Sequence, residues 1–288
     1  MNRPAEQASL DEWYVIDALS DIPTGEKSNR LLGVDIVSRR DPSGQAVVID
    51  RESGRQLPVI EGYGYLWTTL GSPNKGLPEV AEAAEPDRRH VVCGAVSVKA
   101  SGLRIVENFL DMAHFPFVHT DILGAEPHTE VPEYKAEIRR DVDEVWATNC
   151  KFFQPQAALS AEGGMMTDYV YRVLTPFNVM LYKSCPTDEN RQDAICLFVQ
   201  PLDHDRCRAH PVMFLVDEVS GLTDLVHFQQ VIFLQDRIIL ENQRPVLLPL
   251  EPRSEIPTRA DIASVAYRRW LKEKGVTYGT RERQAQAS

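Results

Sequence analysis

Two histidines near the middle of the chain could bind a metal ion together. The segment from Glu107 to His119 reads ENFLDMAHFPFVH and places His114 five residues before its end. On an unbroken helix this spacing would turn His119 away from the face of His114, but Pro116 cannot continue the helical hydrogen bonds. A kink at Pro116 would let both imidazoles turn toward one point. Two converging imidazoles form half of a metal site.

The segment before Pro116 is predicted to be an amphipathic helix that starts at Leu103. It carries an apolar stripe and, at three- and four-residue steps on another face, a polar stripe. The apolar stripe comprises Val106, Phe109, Leu110 and Ala113, and the polar stripe comprises Arg104, Asn108, Asp111 and His114. The last residue of the polar stripe is therefore His114.

A carboxylate far downstream is the candidate for a third ligand. Residues 222–244 predict a long helix that closes before Pro245, and Asp236 lies inside its apolar stripe. The other residues of that inner face are Leu225, Phe228, Ile232, Ile239 and Leu240. An unpaired buried carboxylate is costly, so Asp236 must be protonated, ion-paired or bound to a cation. A metal ion shared with His114 and His119 would remove this cost, and the resulting ligand set is the facial triad of non-haem Fe(II) oxygenases.

These residues resemble a known family. The pattern N-x-x-D-x-x-H-x-x-x-x-H over 108–119 is similar to the mononuclear-iron motif in the catalytic subunits of Rieske-type non-haem iron oxygenases. The segment 235–237 resembles the helix that carries their third ligand. The resemblance implies one mononuclear Fe(II) bound by His114, His119 and Asp236. It also implies O2 as cosubstrate and NAD(P)H used indirectly, through a reductase.

The second half of the chain predicts an α+β fold with a helix-grip catalytic domain. Turn residues separate six strand-like segments, at 134–141, 144–153, 168–174, 179–184, 194–201 and 206–216. The long helix would pack across this curved antiparallel sheet and leave an apolar cavity between the two. The family resemblance implies the same fold. A last helix is predicted over 258–274 with Thr258 as its cap, and a disordered tail over 280–288.

The first part of the chain predicts a β-rich domain, with strand-like segments at 12–16, 31–39, 45–50 and 63–70. This succession resembles the frame of a Rieske domain. A Rieske centre needs two cysteines and two histidines, spaced C-x-H and C-x-x-H. Between Asp50 and Tyr63, where the family pattern would place them, there is neither cysteine nor histidine. We therefore divide the chain into a truncated Rieske-like remnant without cluster ligands (1–90) and a helix-grip mononuclear iron domain (91–288).

One segment imitates a cluster motif. Cys207 to His210 matches C-x-x-H, but no C-x-H precedes it, and it falls on an alternating strand beside a hairpin. We expect structural residues there and no iron-sulfur cluster in this chain. The electrons for oxygen activation must then come from a cluster on another polypeptide, so a Rieske-bearing reductase is the expected partner.

The composition and charge of the chain argue against several classes of partner and location. The chain has 288 residues, is 43% hydrophobic and carries a formal net charge of -11. This acidity argues against a nucleic-acid surface or an anionic membrane as partner. No apolar run approaches membrane-spanning length, and nothing resembles a signal peptide. The five scattered cysteines suggest no disulfide framework, so a reducing cytoplasm is the expected location.

Within the family, the missing cluster motif resembles the catalytic subunit of bacterial methylxanthine N-demethylases that depends on a reductase with an extra Rieske cluster. This resemblance implies monooxygenation of an N-methyl carbon in a methylxanthine, such as 7-methylxanthine, with release of formaldehyde. Phe228, Gln229 and Ile232 lie one to two turns before Asp236 and should border a planar, mostly apolar substrate. A homo- or hetero-oligomer is expected, with or without an accessory subunit.

Two catalytic candidates keep more than one interpretation. By resemblance, Asp111 would bridge the iron site to the Rieske cluster of a neighbouring subunit, while a carboxylate three residues before His114 could also orient its ring. Asn108 could act near the iron or form a local hydrogen bond.

Two other classes of protein also remain open from the sequence. One is a metal-free helix-grip module that binds an apolar ligand, and iron content distinguishes it from an oxygenase. The other is a non-catalytic subunit that supports an oxygenase partner, and turnover with a reconstituted electron donor distinguishes it.

Overall fold

Short strands dominate the N-terminal part of the chain, and longer strands and helices follow. The computed structural model describes residues 4–161 and 163–281. The helices are α1 (Gln7–Leu10), α2 (Gly102–Phe109), α3 (Phe115–Val118), α4 (Leu222–Asn242) and α5 (Ile262–Lys274). The strands are β1 (Tyr14–Ala18), β2 (Lys27–Leu31), β3 (Val34–Arg40), β4 (Ala46–Asp50), β5 (Gln56–Leu57), β6 (Val59–Gly62), β7 (Tyr65–Thr68), β8 (Arg89–Val92), β9 (Val96–Val98), β10 (Lys135–Arg139), β11 (Glu144–Gln154), β12 (Met165–Thr175), β13 (Asn178–Cys185), β14 (Asp188–Asp203) and β15 (Arg206–Leu215).

The strands of the described ranges form three antiparallel sheets. β10 to β15 follow one another as neighbours in the largest sheet, where β8 and β9 both pair with β15. β1, β7 and β6 form a second sheet, and β2 to β5 a third. Each of the six strands predicted over 134–216 overlaps one observed strand, because inward-facing apolar residues alternate with outward-facing polar ones. The predicted α+β fold with a large antiparallel sheet is confirmed.

The long helix α4 lies against the inner face of the large sheet. Its buried side chains are Leu225, Phe233, Asp236 and Leu240. Ile239, which the sequence placed on the inner face, is instead 48% exposed. The buried stripe of the helix continues from Asp236 to Leu240, which lies one turn later. Ile239 lies about 100° away from Leu240 around the helix axis. It therefore lines a surface groove beside the helix.

The helix that leads to the two histidines is shorter than predicted. α2 ends at Phe109, and His114 immediately precedes the one-turn helix α3, in which Pro116 occupies the first turn. Proline fits there because the first N–H groups of a helix have no intrahelical partner. Between α2 and α3, Asp111 Oδ1 accepts a hydrogen bond from the Ala113 N–H at 2.8 Å. This turn breaks the helix before His114, and Pro116 lies within α3, so the predicted kink at Pro116 is wrong.

Arg104, predicted on the polar face of the helix, is instead buried within a cluster of ion pairs. Its Nη1 lies 2.9 Å from Glu107 and its Nη2 lies 2.6 Å from Glu255. Arg268 of α5 pairs with the same two carboxylates, with its Nε 2.5 Å from Glu107. Arg104 also donates to the Pro245 carbonyl at 2.9 Å. The cluster holds α2 against α5 and against the segment that follows α4.

A buried polar network joins the N-terminal strands to the large sheet. Gln200 of β14 donates from Nε2 to Asn29 Oδ1 and to the Arg30 carbonyl, both at 2.8 Å. The His210 ring lies 3.2 Å from Gln200 Oε1, and its burial lowers the pKa of His210 to about 3. His210 and Cys207 thus lie in β15 as the structural residues that the sequence predicted.

The ends of the structure agree with the sequence in part. Thr258 and Asp261 form a capping box ahead of α5, as expected for the last helix. Thr280, the first residue of the predicted tail, pairs with Leu248, and residues 282–288 of that tail lie outside the described residues.

The predicted domain boundary at residue 90 falls within β8, and the division into two domains stays a prediction. Across the described ranges, the helices are too short or too polar to cross a membrane.

We expect the substitution Arg104→Met to destabilise the protein strongly. It would leave the buried Glu107 and the partly buried Glu255 with Arg268 as their remaining partner, and breaking a buried ion pair from one side costs about 3–5 kcal/mol. The free energy of unfolding in urea measures this loss. Arg269→Met is the matched control, because Arg269 pairs with Glu273 on the exposed surface of α5. The control should lose less than about 0.5 kcal/mol. Equal losses in the two variants would contradict a stabilising role for the cluster.

Candidate metal centre and adjoining cavity

His114, His119 and Asp236 converge on one point. Asp236 Oδ1 lies 3.3 Å from His114 Nε2 and 3.0 Å from His119 Nε2, and the two ring nitrogens are 3.2 Å apart. Two ligand atoms at right angles around a metal ion, each about 2.1 Å from it, are about 3.0 Å from each other. The three separations therefore fit three ligand atoms on one face of a single ion.

Hydrogen bonds to the outer ring nitrogens orient both histidines. His114 Nδ1 donates to Asp111 Oδ2 at 2.9 Å, and His119 Nδ1 donates to Gln235 Oε1 at 2.8 Å. With a metal ion bound, both rings would be neutral and the Nε2 atom of each would direct its lone pair at the ion beside Asp236. Metal-binding histidines usually have such a partner on the other nitrogen. Sequence reasoning assigned no role to Gln235, although it immediately precedes Asp236.

The electrostatics of the three side chains favour a cation between them. Asp236 Oδ1 is buried and accepts no well-directed hydrogen bond from the described residues. Burial opposes ionisation of Asp236, but the two imidazoles outweigh it and hold the pKa of the carboxyl at about 2. Burial also opposes protonation of His114, yet Asp111 and Asp236 raise the pKa of its ring to about 9. This ligand set, with an orphaned carboxylate oxygen, fits Fe(II).

Asp111 lies between His114 and a surface groove. Its Oδ2 accepts from the His114 ring, its Oδ1 from the Ala113 N–H, and its side chain is partly exposed to the groove. Residues of α2, α5 and the segment after α4 line that groove. Asn108 lines both the groove and the cavity on the other side of His114. Asp111 thus has the contact needed to orient His114 and an exposed face that a partner could reach.

A cavity of about 1040 Å³, its open mouth included, adjoins the three side chains. It lies between α4 and the inner face of the large sheet. Phe228, Gln229 and Ile232, the three pocket residues proposed from the sequence, line it from α4. The sheet contributes an apolar wall formed by Leu181, Ile195, Leu197, Met213 and Leu215. The lining suits a planar, mostly apolar small molecule.

Three polar side chains enter this cavity from the sheet, and the sequence did not single them out. They are Gln154 at the end of β11, Lys183 on β13 and Asp193 on β14, and each is buried. A signal was available for Lys183, because it occupies an inward-facing position of an otherwise apolar strand. The strand register that places it opposite Asp193 comes only from the structure.

Sequence comparison identifies relatives over most of the chain. The model of the family "Vanillate O-demethylase oxygenase C-terminal domain" matches residues 98–276. The chain is 46% identical over 273 residues to the probable methylxanthine N7-demethylase NdmC of Pseudomonas sp. (strain TJI-51). This match covers 94% of this chain and 96% of that protein. It is 26% identical to the methylxanthine N3-demethylase NdmB of Pseudomonas putida, covering 73% of this chain and 58% of that protein.

Structure comparison finds the same fold in solved proteins. Pseudomonas putida CBB5 NdmA with caffeine matches with a TM-score of 0.76 and 17% identity, over 93% of this chain and 92% of that chain. NdmB from the same organism matches with a TM-score of 0.73 and 19% identity, over 94% of this chain and 93% of that chain. At these identities the likeness shows the fold. The family model and the 46% identical relative show that the chain belongs to the Rieske-type non-haem iron oxygenases, in the vanillate O-demethylase oxygenase family.

Proposed function

We propose that this chain is a non-haem Fe(II) monooxygenase that removes an N-methyl group from a methylxanthine. The observation that carries the proposal is the convergence of His114, His119 and Asp236 beside a mostly apolar cavity. The substrate class rests on the 46% identity to a probable methylxanthine N7-demethylase. By the same analogy, the methyl group removed is the one on N7, as in 7-methylxanthine.

The reaction divides its tasks among the iron and the side chains. Fe(II) held by the three ligands would supply the activation of O2. Asp111 and Gln235 hold the two rings in the ligating orientation, and the walls of the cavity exclude water and position the substrate. One oxygen atom enters a C–H bond of the N-methyl group, and the hydroxymethyl product releases formaldehyde and leaves an N–H. The other oxygen atom is reduced to water by two electrons that derive from NAD(P)H and by two protons taken up from the solvent.

We infer that these electrons arrive through a Rieske-bearing reductase. The five cysteines of the chain are free and buried, and none lies between Asp50 and Tyr63. Asp111, which contacts both His114 and the open groove, is the proposed point of electron transfer, and Asn108 beside it is the second catalytic candidate. The N-terminal remnant, the oligomer and any accessory subunit remain predictions.

The purified protein, reloaded with Fe(II) without oxygen, is expected to bind about one iron per chain and no acid-labile sulfide. Replacing His114, His119 or Asp236 by Ala should each abolish iron binding, since three protein ligands leave little redundancy. His227→Ala is the control, because His227 is exposed on the same helix as Asp236. Sulfide near two per chain, or full iron in Asp236→Ala, would show that the assigned site is wrong. A protein that binds no iron would favour the metal-free ligand-binding module.

Formaldehyde release tests the reaction. With a complete electron-transfer chain, the iron-loaded protein should release formaldehyde from an N7-methylated xanthine in proportion to the demethylated product. Leaving out the Rieske-bearing reductase should stop turnover, because this chain would then lack a source of electrons. If no methylxanthine yields formaldehyde with iron and donor both present, the proposed substrate class is incorrect.

The substitution Asp111→Asn should separate electron transfer from iron binding. Asn keeps an oxygen that can accept from the His114 ring, so iron should stay bound, but it removes the charge. We expect the single-turnover rate with excess reductase to fall by about 10–100-fold, the range seen when partners of metal ligands are changed. Iron content and rate are measured on the same sample. If both fall together, Asp111 only orients His114, and if neither falls, the proposed electron-transfer route is wrong.

A further inference from the structure

Three buried polar side chains enter the cavity from the sheet, opposite α4. Gln154 is 1% exposed, Asp193 is 3% exposed and Lys183 is 7% exposed. Removing an ammonium group and a carboxylate from water is costly unless both find partners. The neighbouring inward-facing positions, such as Leu181 and Ile195, show that apolar residues fill this wall well. The three polar side chains therefore call for an explanation other than packing.

Lys183 and Asp193 stand directly opposite each other on β13 and β14. Cross-strand neighbours have their Cβ atoms about 5 Å apart, yet no direct ion pair joins these two within the described chain. Lys183 Nζ donates to the Ala157 carbonyl. Asp193 Oδ1 accepts from the Val216 N–H at 2.9 Å. Lysine has three N–H donors and a carboxylate has two oxygens, so each side chain keeps capacity for a further hydrogen bond.

Gln154 points to a ligand independently. Its Oε1 is buried and has no hydrogen-bond partner among the residues that the structure describes. Leaving such an acceptor unmatched costs about 1–3 kcal/mol, which a ligand N–H would recover. Gln154 precedes by three residues Ala157, whose carbonyl binds Lys183, so the amide belongs to the same part of the wall.

The surroundings of these groups support a neutral, polar ligand. Burial lowers the pKa of Lys183 and raises the pKa of Asp193, and the attraction between the two opposes both shifts. Asp217, which also borders the cavity, differs because its Oδ1 already accepts from the Val219 and Ser220 N–H groups at 2.9 and 2.8 Å. A donor and an acceptor side by side match a ligand edge with an acceptor next to a donor.

We propose that Lys183 and Asp193 recognise a lactam edge of the substrate, in which a ring N–H adjoins a carbonyl group, and that Gln154 accepts a second N–H. Lys183 donates to the carbonyl oxygen and Asp193 accepts the N–H. This inference rests on the proposed function and deepens it. The six-membered ring of xanthine carries such edges at N1 and N3, and binding there leaves the five-membered ring with its N7-methyl group free to face the metal ligands.

The assignment makes a prediction about methylation. A methyl group on N1 or N3 replaces the hydrogen atom of the N–H group from which Asp193 or Gln154 would accept a hydrogen bond. The chain should therefore favour substrates that carry a methyl group on N7 and free N–H groups on N1 and N3. A site built around a hydrogen bond rejects analogues that lack it far more strongly than an apolar pocket does.

Calorimetric binding to the iron-loaded protein tests this inference with xanthine, 7-methylxanthine and 1,3,7-trimethylxanthine as the probes. We expect 7-methylxanthine to bind at least about tenfold more tightly than the trimethyl compound. Lys183→Met should weaken binding of xanthine. Asp193→Asn keeps an oxygen for the Val216 N–H but turns a donor toward the cavity, so it should remove most of the preference for 7-methylxanthine.

An outward-facing pair provides the matched control. Lys151 and Asp168 are also cross-strand neighbours, on β11 and β12, with an ion pair at 2.9 Å and side chains 53% and 52% exposed. Lys151→Met and Asp168→Asn should leave all three affinities unchanged. Circular dichroism and iron content show whether each variant folds. If Lys183→Met or Asp193→Asn fails to fold, the other variant is sufficient for the test.

The outcomes separate this inference from the proposed function. Equal binding of 7-methylxanthine and the trimethyl compound, no binding of xanthine, or unchanged preference in the cavity variants would overturn it. Xanthine has no methyl group, so its binding does not depend on demethylation. If xanthine binds through Lys183 and Asp193 but no methylxanthine yields formaldehyde, the proposed function is overturned and this inference stands. Formaldehyde release with unchanged discrimination in the variants would overturn this inference alone.

Discussion

The site depends on one buried carboxylate held between two imidazoles. Asp236 Oδ1 is within 3.3 Å of both rings and lacks a well-directed hydrogen bond in the described chain, so its charge needs a cation for compensation. The three ligand residues come from different elements: His114 from the turn after α2, His119 from the end of α3 and Asp236 from α4. The geometry of the site is therefore set by how α4 packs against α2 and the large sheet.

The support for this geometry is also electrostatic. Arg104 and Glu107 lie on α2 just before the residues that face the candidate metal site, and they are tied to Glu255 and Arg268 further along the chain. Because Arg104 and Glu107 are buried, each depends on its partners, and the cluster fixes α2 relative to α5. Asp111, one turn beyond the cluster, can then hold the His114 ring while its own side chain faces the groove.

The two walls of the cavity differ in character. α4 provides aromatic and aliphatic side chains with the amide of Gln229, whereas the sheet combines an apolar surface with Lys183 and Asp193. An apolar wall accepts any planar molecule of the right size, since dispersion contacts have little directional preference. Buried donors and acceptors impose an orientation, because each one left unmatched carries a penalty. The sheet wall is thus suited to orienting a bound molecule, and the α4 wall to holding it beside His114, His119 and Asp236.

The sequence by itself determined six strands of the large sheet, β10 to β15, because period-two alternation is a local signal, and it predicted the three candidate ligand residues. The spacing of His114 and His119 and an acid within the apolar stripe of α4 are each visible within one segment. The sequence prediction missed a local turn at Asp111, which competes with the helix and ends it before His114. Tertiary structure decided the burial of Arg104, whose partner Glu255 is remote in sequence, and the facing of Lys183 and Asp193 across two strands. These features arise from contacts between distant residues, and local spacing does not encode which distant residues meet.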